Sequence, residues 1–174
     1  MSTSFSIPDV SDPMSRHPKA PAPGEPFRLH HNLCHGCGDD APGGLHVTVY
    51  AGEGFATTAE MTVEKWMMGG PGVIHGGVLT AAFDEVLGTT PLIIGTPVVT
   101  GHLQVDFRKP IPIGTTLHFN AEVVAKERRK VFVRATAHLG DPTEIVASAS
   151  AIFIEIDLKE HFGKYADSAS LSRP

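Results

Sequence analysis

One stretch of this 174-residue chain reads as a substantial helix, and its apolar residues leave it almost no polar side. From Gly77 onward, Val78, Leu79, Ala81, Ala82, Phe83, Val86 and Leu87 spread around the axis, and Gly88 with Pro91 ends the run. A surface helix carries one apolar stripe, whereas a helix that is apolar nearly all round has to be enclosed. Whatever else the chain forms must therefore wrap this segment.

The remainder reads as β-structure. Six runs have strand character: Leu45 to Tyr50, Phe55 to Glu64, Val98 to Arg108, Thr116 to Ala125, Val131 to Leu139 and Glu144 to Ile156. Leu117, Phe119, Ala121 and Val123 point one way, as do Val131, Val133, Ala135 and Ala137, the pattern of an antiparallel sheet with one buried face. The small residues between Ala147 and Ala151 predict something packed closely over them. Turn signals fall at Gly52 to Gly54, Pro110 to Gly114, Glu127 to Lys130 and Gly140 to Pro142. One buried helix set between the first strands and the later, longer ones is the element order of the hotdog fold. That is an α+β architecture in which five or six antiparallel strands wrap one long central helix.

The ends differ in character. Six of the fourteen prolines lie in residues 1–26 without apolar periodicity, which predicts a flexible or wrapping arm. Residues 163–174 are small and polar and read as a flexible tail, leaving 27–162 as the folded domain. With 41% hydrophobic and 19% charged residues, that length suits one domain. Fourteen Lys and Arg against nineteen Asp and Glu give a net charge of -5, so no global basic field attracts nucleic acid or anionic lipid. No apolar run is expected to approach the ~18 residues that span a bilayer, and no secretory h-region follows a basic start. A soluble cytoplasmic protein is the expectation, and the two cysteines, spaced C-x-x-C, suit a reducing compartment at least as well as an oxidising one.

The segment Gly69 to Glu85, GGPGVIHGGVLTAAFDE, carries the candidate chemistry. His75 stands at the helix entrance. Gly76 and Gly77 expose backbone N–H groups where the first helical turn has no internal acceptors, which makes an oxyanion or carbonyl site. Asp84 follows Gly77 by seven residues, on nearly the same face but about 10 Å further along the axis. It is too far to serve the same carbonyl, whereas two helices facing across a two-fold axis would set Gly76 of one subunit opposite Asp84 of the other. A carboxylate in an apolar helix needs a partner or a purpose. The plainer alternative is that Asp84 and Glu85 mark the helix's wet edge. His75 alone reads more readily as a structural hydrogen-bonding residue than as a catalyst.

The stretch V-I-H-G-G-x-x-x-x-x-x-D, Val73 to Asp84, resembles the signature of the hotdog acyl-CoA thioesterases of the phenylacetate-pathway type and their mammalian mitochondrial relatives. The resemblance continues through Val98 to Pro112 and Glu127 to Arg134, and the N-x-C-x-G-C-G element at Asn32 to Gly38 is similar to bacterial members. It implies that the N–H of Gly76 polarises a thioester carbonyl, with Gly77 beside it, and that Asp84 of the partner subunit activates water or attacks directly. Thr100 would hold the water or the carboxylate, and His75 would orient the thioester end. It further implies CoA contacts at Asp106, Arg108, Arg129, Lys130 and Arg134, in a homodimer or a dimer of dimers, with no metal or redox cofactor. Independently, Lys126 to Lys130 and Arg108 with Lys109 are the basic clusters of an acidic chain, as a polyanionic handle wants; a solvated hairpin rim is the alternative. Some relatives have Asn six residues before the His, where this chain has Gly69.

Three readings stay open from residues alone. The fold also serves as a non-catalytic acyl-CoA sensor, although such a sensor has no use for Asp84 and Thr100. An enzyme acting on acyl-carrier protein or hydrating enoyl-CoA is the weaker reading, and the His and Asp pair on which hydratases of this fold rely is not found here. Cys34, His35 and Cys37 could begin a zinc site, but no second ligand pair appears at the usual spacing, and thiols packed under the sheet are the simpler expectation. Trp66, Met67 and Met68 read equally as core or as acyl-pocket wall.

Overall fold

The computed structural model describes residues 5–28 and 31–165. Six strands, β1 (Thr48–Ala51), β2 (Ala56–Thr62), β3 (Val98–Phe107), β4 (Thr116–Glu127), β5 (Lys130–His138) and β6 (Ile145–Glu155), form one sheet in the order β1-β2-β4-β5-β6-β3. Every pairing is antiparallel. The long helix α1 (Gly76–Thr89) lies on one face and buries Leu79, Ala82, Phe83, Val86 and Leu87. The alternation in β4 and β5 places Leu117, Phe119, Val131 and Val133 under it, and Phe83 meets Phe119 edge-to-face at 5.2 Å. Burial of each such side chain contributes about 1.5–3 kcal/mol, so the helix face and the sheet face hold one another. Ala147, Ala149 and Ala151 of β6 join the same apolar cluster, which accounts for their size: larger side chains there would push the helix off the sheet. This is the expected hotdog arrangement.

Several boundaries differ from the sequence reading. Strand β1 begins at Thr48 rather than Leu45, because Leu45 and Val47 are still bonded to the preceding loop at His35 O and Gly36 O. The helix does not stop at Gly88. It continues to Thr89, and a 3-10 turn over Thr90–Ile94 extends it to Gly95, whose φ of 71° provides the left-handed stop. Pro91 sits at the beginning of that turn, where a missing N–H is harmless. Helix and turn together run 19 residues at a mean hydropathy of 1.3, long and apolar enough to cross a membrane, contrary to the expectation of no such run. Packing against the sheet explains that apolarity. A second, unanticipated helix α2 (Leu158–Phe162) is capped by Asp157, whose carboxylate accepts from the N–H groups of Lys159 and Glu160.

The Pro-rich segment runs against the domain rather than away from it. Gly24 N–H donates to Ala51 O, Phe27 N–H to Val49 O, and Ala51 N–H to Glu25 O, so these residues line the free side of β1. Arg16 donates to Gly52 O, Gly54 O and Pro21 O, and Asp12 accepts from Arg128 N–H at the β4–β5 turn. Phe5 meets Phe132 edge-on. At the other end Gly163–Tyr165 forms a short 3-10 turn, and residues 166–174 of the expected tail lie outside the described residues.

Candidate active site

The loop before α1 closes on itself through a bridge between Met68 and Ile74, with Gly69 N–H donating to Val73 O and His75 N–H to Met67 O. His75 then caps the helix: its Nδ1 accepts from Gly77 N–H at 2.9 Å. An imidazole accepting at Nδ1 carries its proton on Nε2, so the exposed edge of the ring is a donor. The cap also separates the two glycines. Gly77 has its N–H engaged by His75, whereas no hydrogen bond among the described residues uses the N–H of Gly76. Gly76 lines a groove of about 310 Å³ with Val73, Leu79, Phe107, Arg108 and Lys109. The position of Gly69 has a local reason. A Cβ there would stand 2.7 Å from the Cα of His75, so the loop can approach the cap only without a side chain.

Asp84 lies eight residues beyond Gly76, about 12 Å along the axis, and faces the start of β3. Thr100 Oγ1 donates to Asp84 Oδ1 at 2.8 Å, which leaves the second carboxylate oxygen without that donor. The pair sits next to a bulge between Thr100 and His102. Gly76 lies at the other end of the same strand: the ring of Phe107 is 3.5 Å from where a Cβ on Gly76 would stand. Within one chain the N–H and the carboxylate thus occupy opposite ends of β3. Its outer side pairs with nothing among the described residues, and Phe107 is 57% exposed.

The five expected CoA contacts do not form one cluster in a single chain. Arg108 stands at the mouth of the Gly76 groove and donates to Ser148 Oγ at 3.1 Å. Asp106 and Arg134 line a depression of about 410 Å³ on the sheet face away from the helix, and Arg134 is held by Glu122 at 2.6 Å. Arg129 donates twice to Glu155 O at the far end of β6, in a cavity it shares with Asp157 and Glu160, while Lys130 is exposed next to it. Lys126 pairs with Glu155 at 2.9 Å. Register explains the split: Lys130 aligns with Ile154, Phe107 with Ala147, seven residues or about 23 Å away along β6.

The apolar knot divides, since Met67 is core and Trp66 and Met68 are exposed. Cys34 and Cys37 carry reduced thiols, and they pack against Glu85 of α1 rather than simply under the sheet. Burial pushes the Cys37 thiol well above its ordinary range, and the Glu85 carboxylate adds to the effect. Sequence reading missed this third group because Glu85 is remote in the chain from both cysteines.

Comparison with known proteins follows the same geometry. Residues 71–146, from the loop before α1 to the first residues of β6, match the thioesterase superfamily. The matched span contains His75, Gly76, Asp84 and Thr100. Acyl-coenzyme A thioesterase THEM4 of Rattus norvegicus is 33% identical over 91 residues, 52% of this chain and 39% of that protein. Acyl-coenzyme A thioesterase THEM5 of Homo sapiens is 30% identical over 96 residues, 55% and 39% respectively. The chain thus spans about two fifths of the length of these curated relatives. The E. coli PaaI protein from the phenylacetic acid degradation operon superposes with a TM-score of 0.60 at 21% identity, covering 65% of this chain and 81% of that one, which shows the shared hotdog fold.

Proposed function

We propose that this protein hydrolyses acyl-CoA thioesters, as a dimer in which the open edges of β3 pair antiparallel across a two-fold axis. The observation that carries the reading is the placement of an unused N–H and a hydroxyl-bound carboxylate at opposite ends of one unpaired edge strand. Antiparallel pairing of two such edges sets the end of one β3 beside the start of the other. Gly76 of one subunit then faces the partner subunit's Asp84.

In that arrangement the Gly76 N–H, at the positive end of α1, donates to the thioester carbonyl oxygen and stabilises the oxyanion that develops there. The partner subunit's Asp84, oriented by Thr100, takes a proton from water as its oxygen bonds to the carbonyl carbon. The C–S bond breaks, the thiolate is protonated, and the free acid and CoA leave. His75 holds the first turn of the helix in place and presents Nε2–H toward the thioester. The same pairing moves Arg129 and Lys130, beside the start of β3, toward Arg108 at the end of the partner's strand. A divided basic set thereby becomes a continuous one for the CoA phosphates, with Asp106 and Arg134 on its outer side. The names of the relatives, both acyl-coenzyme A thioesterases, support the substrate class. A cytoplasmic setting, where the thiols stay reduced, belongs to the same reading.

Release of free thiol from short, long and aromatic acyl-CoAs tests it, with wild type and Asp84→Asn side by side. Loss of at least ~100-fold in turnover, in a variant that keeps its oligomeric state, is expected for removal of a positioned base. Near-normal turnover would take Asp84 out of the mechanism, and tight acyl-CoA binding without turnover in wild type would make the protein a sensor.

A further inference from the structure

Beside the candidate active site, on the other flank of α1, two thiols and a carboxylate converge. Cys34 and Cys37 lie in the loop before β1, and Glu85 comes from the helix; their ligand atoms all lie within 4.8 Å of one another. Cys34 Sγ is 3.7 Å from Glu85 Oε2. Two ligands about 2.1 and 2.3 Å from a tetrahedral ion stand about 3.6 Å apart, so this spacing is already that of a coordination edge.

The loop is shaped for this contact. A Cβ on Gly38 would run into the backbone at Asn32 O, so this turn requires a glycine there, and one on Gly36 would displace the Glu85 carboxylate from the thiols. Backbone bonds fix the turn, with Gly38 N–H donating to Cys34 O at 2.8 Å and Val47 N–H to Gly36 O at 2.9 Å. Glu85 is partly buried, and among the described residues no Lys or Arg pairs with it; Arg28 borders the same cavity without making an ion pair. The Cys34 and Cys37 thiols both bond to its carboxylate, and Thr89 Oγ1 donates to it at 3.4 Å. Among the described residues, a carboxylate so placed, with two soft ligands beside it, has no cationic partner. A cavity of about 20 Å³ adjoining Cys37 and Glu85 has room for one water.

We propose that Cys34, Cys37 and Glu85 bind one zinc ion, completed by a water in that cavity, and that this ion fastens the loop before β1 to α1. Two thiolates with a carboxylate suit a borderline-soft ion and not magnesium or calcium. Binding displaces the two thiol protons. The ion is structural: Glu85 turns away from the Thr100 side of the helix that Asp84 faces.

The probe is Co²⁺, titrated under a non-thiol reductant into full-length protein stripped with chelator. One equivalent should bind, with thiolate-to-cobalt charge-transfer and tetrahedral d–d absorption that Zn²⁺ abolishes. Cys34→Ala, at the half-exposed ligand and so the safest for folding, should lose the charge-transfer band while keeping the wild-type circular dichroism. Glu85→Gln should weaken binding at least ~10-fold, the scale of even an outer-shell loss. Zn²⁺ should raise the unfolding midpoint of wild type and not that of Cys34→Ala. The proposal is overturned if wild type shows no thiolate–cobalt band, if the band survives in Cys34→Ala, or if Glu85→Gln binds as tightly as wild type.

Discussion

Replacing Gly69 with alanine adds one methyl group at the point where the loop before α1 crosses its own cap. The new Cβ would stand 2.7 Å from the Cα and 3.0 Å from the Cβ of His75. Carbon atoms rest at about 3.5–4.0 Å, so loop and cap must separate by roughly 0.8 Å. The neighbours are backbone and Cβ rather than a flexible tip, and Gly69 N–H and His75 N–H are both bonded within the same loop. Overpacking of this kind costs about 1–3 kcal/mol, which for a chain of this length lowers the unfolding midpoint by about 2–12 °C. Gly70→Ala is the control, because its Cβ meets only Val73 Cγ2 at 3.5 Å and should change stability by no more than about 0.5 kcal/mol. Thermal denaturation followed by circular dichroism measures both, and thiol release adds a second readout, since a shifted cap moves Gly76. Equal midpoints for the two variants would refute the claim that loop closure against His75 dictates a glycine at 69.

Three further outcomes are expected. His75→Ala should lower stability by about 1 kcal/mol through loss of the cap, a midpoint shift of about 2–4 °C, while His75→Asn restores most of it; identical midpoints for Ala and Asn would show that capping is not the residue's structural role. Thr100→Val should reduce kcat about 10-fold, a bond to a charged group discounted for exposure, and Thr100→Ser should retain activity; an active Thr100→Val variant removes the hydroxyl from the mechanism. His138, buried, stacked on His118 at 5.2 Å and accepting from Gly140 N–H, has its pKa lowered, by burial first and by His118 second. The unfolded chain therefore binds this proton more tightly. Stability should be undiminished above the unfolded value near 6.5 and should fall as pH drops below it, and a urea midpoint series across that range should flatten in His138→Gln.

The fold was legible because its periodicities are local. Leu117, Phe119, Ala121 and Val123 announce a one-faced strand by alternation, and Val78 to Leu87 announce an enclosed helix by the lack of a polar stripe. His75 and Gly76 were legible for a similar reason, since orphan donors belong to any helix start. What the sequence left hidden is set by sheet order. That β3 joins β6 at the sheet's end decides that Thr100 meets Asp84 while Arg108 and Arg129 are far apart, and no local pattern encodes that neighbour. The Glu85 contact with Cys34 depends likewise on where the loop before β1 is laid. Two features did carry a readable signal. Asp157 followed three residues later by Glu160 marks a helix start, and His75 occupies the N-cap position itself.

An open antiparallel sheet has two edges, and each unguarded edge is one bond's worth of valence toward another copy. Here Gly24 to Phe27 occupy the free side of β1, so one of the two is spent within the chain and, among the described residues, β3 is the edge left unpaired. A unit with a single edge to offer can join one other and no more. On that geometry edge association is expected to end at two chains, and trimming the chain through Phe27 would restore the second valence and with it the route to open-ended growth.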